Sequence, residues 1–336
     1  MTSVKSREIH LRSRPHGLPT ADNFALVSVE VPAPSQPDQV LVRNRFISVD
    51  PYMRGRMRDT RSYTPPFGLD EPLTGGAVGE VVGSTSEAFA EGDFVMHMFG
   101  WREYALAEPR HLTKVDPSLG PLQSYLGALG MPGMTAYVGL LDIGEPQPGE
   151  TVFVSGAAGA VGSEVCQIAK IKGCRVVGSA GSEAKTRWLE EVAGVDVAIN
   201  YKETSNLRRA LKGACPDGID VYFENVGGEH LEAALQYMNN NGRIVVCGMI
   251  SMYNATSAEP GPANLALMIG RRLKMQGFIV SDHPERRDSF LRDVSGWMQE
   301  GKLKWEETVH EGIENTPEAF IGLFHGENLG KMLVKV

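Results

Sequence analysis

At 336 residues the chain is long enough for two domains, and its 42% hydrophobic and 22% charged residues are those of a soluble globular protein. The net charge of −8 argues against a surface built for a nucleic-acid backbone. No window approaches the roughly 18 apolar residues that a membrane span needs.

Residues 1–15 carry Lys5, Arg7, Arg12 and Arg14 with no apolar run behind them, so they do not read as a signal peptide. A cytoplasmic location follows by default. From about 20 to 125 the chain alternates short strand-like runs with Gly and Pro: strands are predicted at 24–31, 39–46, 75–82, 93–99 and 101–107. Residues 54–67 read as an irregular loop. Its arginines at 54, 56, 58 and 61 read as a solvated face, the alternative being attraction of a carboxylate-bearing substrate. Trp101 reads as packing rather than as a pocket wall. This half predicts a mostly β, barrel-like domain.

From about 145 strands and helices alternate. Strands are predicted at 151–155, 175–178, 197–200, 219–224, 243–247 and 275–280, with helices at 159–172, 183–192 and 230–238. Six strands separated by helices imply a parallel sheet covered on both faces, the doubly wound dinucleotide fold. A helix at 285–299 follows, then strands at 304–309 and 331–336. The last is too apolar to stand alone and is assigned back to the first domain. The organisation expected is therefore an α/β chain: residues 1–125 completed by 300–336, around an inserted 126–299.

The chemistry concentrates at Ser155-Gly156-Ala157-Ala158-Gly159-Ala160-Val161-Gly162, which leaves a strand and opens a helix. A glycine at 159 lets backbone approach a pyrophosphate, and one at 162 lets the helix pack closely on the sheet. The helix N-terminus supplies free N–H groups to the anion. NAD-binding folds place an acid about 20 residues on, at the end of the second strand, to hold the ribose hydroxyls. Here that position reads Gly178-Ser179-Ala180-Gly181-Ser182, with Lys185 and Arg187 close behind. A missing carboxylate beside a cation suits the extra phosphate of NADPH. Glu183 is the contrary residue, but it falls in the first turn of a helix, where acids are favoured.

Cys166, Cys174, Cys215 and Cys247 form no metal-like spacing and read as reduced thiols. The eight histidines are scattered, so no metal is expected. No hydrolase nucleophile elbow is present.

At these residues the chain resembles the zinc-independent medium-chain dehydrogenase/reductases, in the group of prostaglandin reductases, alkenal double-bond reductases and curcumin reductases. The stretches that carry the resemblance are Ser48-Val49-Asp50-Pro51-Tyr52-Met53-Arg54, Gly130-Met131-Pro132-Gly133-Met134-Thr135-Ala136-Tyr137, the turn at 155–163, Phe223-Glu224-Asn225-Val226-Gly227-Gly228, Cys247-Gly248 through Tyr253, and Glu327-Asn328-Leu329-Gly330-Lys331. The resemblance implies a GroES-like domain around a Rossmann domain. It implies that Gly159, Ala160, Val161 and Gly162 hold the NADPH pyrophosphate, and that Lys185 and Tyr201 hold the 2′-phosphate. Asn225, Cys247, Gly248 and Tyr253 would line the ribose and nicotinamide end; Phe278, Ile279, Val280 and Asn328 would close over the nicotinamide. Zinc relatives carry a cysteine in the early loop and a Gly-His-Glu on the next strand. Here those places read Ser48-Val49-Asp50 and Gly75-Gly76-Ala77-Val78-Gly79-Glu80. Zinc-dependent alcohol dehydrogenation is not expected.

Hydride delivery to an α,β-unsaturated ketone or aldehyde puts negative charge on the carbonyl oxygen and requires a proton at the α-carbon. Tyrosine, with a pKa of about 10, can donate at neutral pH. The candidates are Tyr253, just after the fifth strand, then Tyr63 and Tyr52. The expected function is NADPH-dependent reduction of activated alkenes. A quinone reductase, or an NADPH-binding protein without turnover as in some lens crystallins, stands as the alternative. A homodimer joined at the edge of the sixth strand is expected from the resemblance.

Overall fold

The computed structural model describes residues 3–336, so that Met1 and Thr2 of the N-terminal reading lie outside it. The chain divides into two compact units, Met1–Leu126 with Glu307–Val336, and Gly127–Glu306.

The first unit opens with β1 (Ser3–Leu11), which pairs antiparallel along its whole length with β2 (Phe24–Pro32). There follow β3 (Val40–Ser48), the short helix α1 (Met53–Arg56), β4 (Ala77–Ser84), β5 (Phe94–His97), β6 (Tyr104–Ala107) and β7 (Thr113–Lys114). The second unit contributes α2 (Met131–Val138), β8 (Thr151–Val154), α3 (Ala160–Ile171), β9 (Arg175–Ala180), α4 (Glu183–Glu191), β10 (Val197–Asn200), α5 (Leu207–Ala214), β11 (Ile219–Glu224), α6 (Gly228–Tyr237), β12 (Met238–Val246), α7 (Leu267–Arg271), β13 (Lys274–Gly277) and α8 (Arg287–Gln299). The chain then returns to the first unit as β14 (Glu307–Glu311), α9 (Thr316–His325) and β15 (Lys331–Lys335).

In the first unit the larger sheet runs β14-β15-β3-β4-β5-β7, with β6 also on β3. The apolar terminal strand thus lies inside a sheet: β15 is parallel to β14 and antiparallel to β3, Leu333 facing Ser48. Trp101 is fully buried against Phe24 and Phe320, at ring separations of 5.9 and 5.8 Å, and is a packing residue.

In the second unit six strands form a parallel sheet in the order β10-β9-β8-β11-β12-β13. Numbered within the unit this is 3-2-1-4-5-6, the doubly wound nucleotide-binding order, whose direction reverses between β8 and β11. Every residue of β8 is buried, as a strand covered on both faces requires. Phe153 stacks on Tyr222 at 5.0 Å in its core. The fold is an α/β chain in which a Rossmann unit is inserted into a GroES-like, mostly β unit.

Several expectations shift, among them a strand expected at 243–247 that begins at Met238 and one expected at 93–99 that ends at His97. Residues 54–67 are not wholly irregular, because α1 occupies their start. The strand expected at 101–107 begins only at Tyr104, since Trp101 turns the backbone with φ +62°. The strand expected at 275–280 ends at Gly277, and Val280 opens a 3-10 turn instead. The strand expected at 304–309 is β14. Among the described residues no helix is long and apolar enough to cross a membrane.

Candidate active site

The phosphate-binding turn follows from steric necessity. Gly156 has φ +59°, and a Cβ on Gly162 would lie 2.3 Å from the Gly156 carbonyl oxygen and 2.8 Å from the Ala157 Cα. Helix α3 therefore starts hard against the turn only because residue 162 has no side chain. The Ala157 N–H donates to the Ser179 carbonyl at 2.9 Å, fastening the turn to β9. No side chain caps α3, whose N-cap is Gly159. The N–H groups of Ala160, Val161 and Gly162 form its first turn, where helical amides have no intrahelical acceptor. Such an end suits an anion.

A buried carboxyl ties this turn to the end of β11. The Ser155 hydroxyl donates to Glu224 Oε1 at 2.8 Å, and the Val226 and Gly227 N–H groups donate to the same oxygen at 2.7 and 2.9 Å. Burial pushes the Glu224 carboxyl up, against the pull of those amides. The Asn225 N–H donates to Ser155 Oγ at 2.9 Å and its Nδ2 to the Ser155 carbonyl at 2.7 Å. Asn225 thus stands over the start of the turn, at the reversal point of the sheet. The Cys247 and Gly248 N–H groups both donate to the Glu224 carbonyl, at 3.0 and 3.1 Å. The Tyr253 hydroxyl oxygen accepts from the Met249 N–H at 3.4 Å, and a Cβ on Gly248 would come 3.0 Å from that oxygen. Asn225, Cys247, Gly248 and Tyr253 are therefore one assembly beyond the carboxyl ends of β11 and β12. Burial pushes the Cys247 thiol up to about 12, with Glu224 adding to it, which leaves it a neutral lining group rather than a nucleophile. Phe278, Ile279 and Val280 follow β13. The Phe278 ring approaches Gly139, whose Cβ would lie 2.7 Å from it.

Beyond β9 and β10 lies a cationic corner. Ser182 caps α4, and Glu183 is spent on Arg187 in an exposed pair at 2.6 Å, one helical turn apart. Lys185 is the half-buried cation of this turn. Burial holds its ammonium below the ordinary value, and the nearby Lys202 pushes the same way. The Tyr201 hydroxyl and the Lys202 stem both reach Gly181, whose Cβ would lie 2.9 and 3.1 Å from them. The Tyr201 ring packs edge-on against His230 at 5.0 Å. Two lysines whose charges repel, one of them beside a tyrosine hydroxyl, suit a dianion. Lys202 is the residue the sequence reading missed. It follows Tyr201 directly, and that adjacency was its available signal.

In the first unit, Tyr52 is the N-cap residue of α1 and Tyr63 is 63% exposed. The arginine run is a solvated face only in part: Arg61 is exposed, Arg56 and Arg58 are half-buried, and Arg54 is buried. Arg54 is 1% exposed and donates to the carbonyls of Pro15 and Gly17, at 3.1 and 2.7 Å. Carbonyl acceptors from a distant loop make its burial tolerable, and burial lowers its guanidinium to about 10. The Asn328 amide donates to the Gly330 carbonyl at 2.7 Å. Next to it, Lys331 is buried with Nζ donating to the Val49 carbonyl at 2.9 Å and 3.3 Å from Asp50 Oδ1. Asp50 in turn accepts from the Ser48 hydroxyl at 2.5 Å. Asn328 and the 48–52 segment are thus pinned together. Among the described residues no three His, Cys, Asp or Glu side chains gather as a metal site would require.

Two family models match the chain: one described as the N-terminal domain of oxidoreductase over residues 7–115, and one described as zinc-binding dehydrogenase over residues 160–295. An NADP-dependent oxidoreductase of Bacillus subtilis is 50% identical over 99% of this chain and 98% of its own length. The NADPH-dependent curcumin reductase of Escherichia coli is 44% identical over 99% and 97%. The NADP(+)-dependent 2-alkenal reductase of Nicotiana tabacum is 44% identical over 99% and 98%. Among solved structures, CurA from Vibrio vulnificus in complex with NADPH superposes with a TM-score of 0.93 at 44% identity, over 98% of this chain and 99% of that one. The chain belongs to the medium-chain dehydrogenase/reductase family, within the group of these NADP-dependent reductases.

Proposed function

We propose that the protein reduces the C=C bond of α,β-unsaturated ketones and aldehydes with NADPH, without zinc. The observation that carries this reading is the cationic corner of Lys185, Tyr201 and Lys202 beside an uncapped Rossmann turn, in a chain akin to curcumin and alkenal reductases.

NADPH, when bound, supplies the hydride. Gly159, Ala160, Val161 and Gly162 receive the pyrophosphate on their amides. Lys185, Tyr201 and Lys202 hold the 2′-phosphate. Asn225, Cys247, Gly248 and Tyr253 line the ribose and nicotinamide end, and Phe278, Ile279 and Val280 cover the ring. Tyr253 donates a hydrogen bond where the substrate's carbonyl oxygen gains negative charge. Its own oxygen accepts from the Met249 N–H. Tyr63 and Tyr52 are the candidates for proton delivery to the α-carbon. The substrate is a small enone or enal; nucleic acid and membrane have no part.

A homodimer in the cytoplasm completes the reading. Edge strand β13 and the neighbouring Ile269, 82% exposed, support a seam there. The four free thiols support a reducing compartment.

The test is NADPH oxidation against enones, enals, quinones and saturated ketones, with NADH and a chelator as controls. Saturated products formed with NADPH, indifferent to chelator, are expected. Turnover of quinones alone would move the protein to the quinone reductases. NADPH binding with no turnover would make it a binding protein.

A further inference from the structure

Helix α2 does not stop at Val138. It opens into a wider π-turn, Gly139–Gly144, which closes at Glu145 with φ +46°. Such turns are rare inside helices and gather at functional sites. This one is fixed to the sheet. A Cβ on Gly144 would lie 3.1 Å from Val221 Cγ1 and 3.4 Å from Val245 Cγ2, so the turn rests directly on β11 and β12. Arg243 of β12 donates from Nε to the Gly144 carbonyl at 2.9 Å and from Nη2 to the Glu145 carbonyl at 3.2 Å.

Two residues of the turn meet the segment that follows β13, and all of these groups lie in the second compact unit. A Cβ on Gly139 would lie 2.7 Å from Phe278 Cζ and 2.8 Å from Phe223 Cε2. The Phe278 ring therefore packs on bare helix backbone. Farther along, Arg286 donates from Nε to Asp142 Oδ2 at 2.8 Å and from Nη2 to Oδ1 at 2.9 Å. Its guanidinium also lies 5.2 Å over the Tyr137 ring of α2. Between Phe278 and Arg286 the chain makes two 3-10 turns, in which the Asp282 N–H donates to the Ile279 carbonyl at 3.0 Å and the Arg286 N–H to the His283 carbonyl at 3.1 Å. Residues 278–286 are thus a short span fastened at both ends to one turn. With its side chains 32% and 31% exposed, the Arg286–Asp142 pair adds little to global stability. Its effect is to fix a position. We propose that the π-turn is the seat of the segment over the nicotinamide, with Gly139 and Asp142 as positioning residues: Gly139 sets where the Phe278 ring lies, and Asp142 holds the far end of the span through Arg286. The inference rests on the NADPH-dependent reading above, in which Phe278, Ile279 and Val280 cover the ring.

The experiment compares full-length wild type, Gly139→Ala, Phe278→Leu, the Gly139→Ala/Phe278→Leu pair, Asp142→Ala and Asp142→Glu. Three readouts are taken: the single-turnover rate of NADPH oxidation by an enone, the affinities for NADPH and NADH by fluorescence, and backbone hydrogen exchange over residues 278–286 in the cofactor-free protein. Ordinary contact begins near 3.4 Å, so a methyl group at 139 drives the ring back by about 0.7 Å, and a misplacement near 1 Å costs on the order of 100-fold. Gly139→Ala should therefore slow hydride transfer roughly 10- to 100-fold. Leucine has no atom where Cζ stands, so adding Gly139→Ala to Phe278→Leu should cost less than about threefold more. Asp142→Ala should speed exchange across 278–286 and slow hydride transfer about 10-fold, and Asp142→Glu should recover part of both. Any loss of affinity should be equal for NADPH and NADH, because β8, β11 and β12 separate β13 from the phosphate corner at β9. A full Gly139→Ala loss in the Phe278→Leu background would trace the harm to Phe223 and the core, and would overturn the proposal. So would wild-type hydride transfer in Gly139→Ala or in Asp142→Ala, whatever the exchange. Should Gly139→Ala fail to fold, Asp142→Ala decides by its exchange and hydride transfer together. A wild-type protein that binds no NADPH would instead refute the parent reading.

Discussion

Glu164 lies in the first turns of α3 and is 2% exposed, and its Oε2 has no hydrogen-bond partner among the described residues. Gly133 of α2 is packed against it, with a Cβ position only 2.7 Å from that oxygen. Burial pushes the carboxyl up from 4.5 to about 8. The folded state therefore favours the protonated form, while the unfolded chain ionises near the ordinary value. Stability from this group is fully present below about pH 4.5 and is lost as the pH rises through about 8. The gap between the two values is worth about 5 kcal/mol at most. Glu164→Gln removes the ionisation but buries an amide whose N–H groups lack acceptors, which costs about 1–3 kcal/mol. The variant should then be less stable than wild type at about pH 5, equal to it somewhere between about pH 5.5 and 7, and more stable at about pH 9. At 2–4 °C for each kcal/mol, roughly, the advantage at high pH is about 5 °C or more in Tm. Thermal melts of both proteins followed by circular dichroism across this range measure it. Curves that stay parallel from pH 5 to 9 would mean that Glu164 ionises in the fold without penalty, and the argument from burial would be wrong.

Lys185→Ala is expected to weaken NADPH binding by roughly 10- to 100-fold with little change for NADH, measured by fluorescence titration. Equal effects on both cofactors would remove Lys185 from the phosphate site. Lys202→Ala, at a more exposed position, should cost NADPH a few-fold and flatten the salt dependence of its binding. Tyr253→Phe should lower kcat on the order of 100-fold while NADPH affinity holds; unchanged turnover would leave the proton and the hydrogen bond to other groups. Gly162→Ala should destabilise by about 1–3 kcal/mol in urea melts, because its methyl group collides with the Gly156 carbonyl, and should weaken NADPH and NADH alike.

Where structure is local, the sequence was readable. Strands β10 and β11 stand at their expected bounds because an apolar run between turn residues leaves little choice. The phosphate turn was visible because its glycines are sterically required. Helix α2 was hidden by Gly130, Pro132 and Gly133, which look like breakers. In the fold, Pro132 sits at the start of the helix, where a missing N–H is harmless. Strand β1 was hidden because Lys5 and Arg7 dilute its alternation, and only Ser6, Glu8, Ile9 and Leu11 are buried. Helices α5 and α7, of eight and five residues, are too short for periodicity to declare them. The burial of Arg54 could not be read at all, since its acceptors at Pro15 and Gly17 lie far away in sequence. At the cofactor corner the types and order of residues were legible. The crowding of Lys202 on Lys185 was not, because it depends on how β9 and β10 align.

The placement of β15 inside its sheet has a consequence for biosynthesis. The nucleotide-binding unit has all six strands of its sheet once residue 277 has emerged, whereas β3 must wait for residues 331–335 before Leu333 can meet Ser48. Until then the Phe46–Ser48 end of β3, beyond the stretch that β6 pairs, is an open edge, and such edges recruit strands from other chains. A message truncated before Lys331 should therefore yield a chain that still forms its Rossmann half yet aggregates through the half that came off the ribosome first.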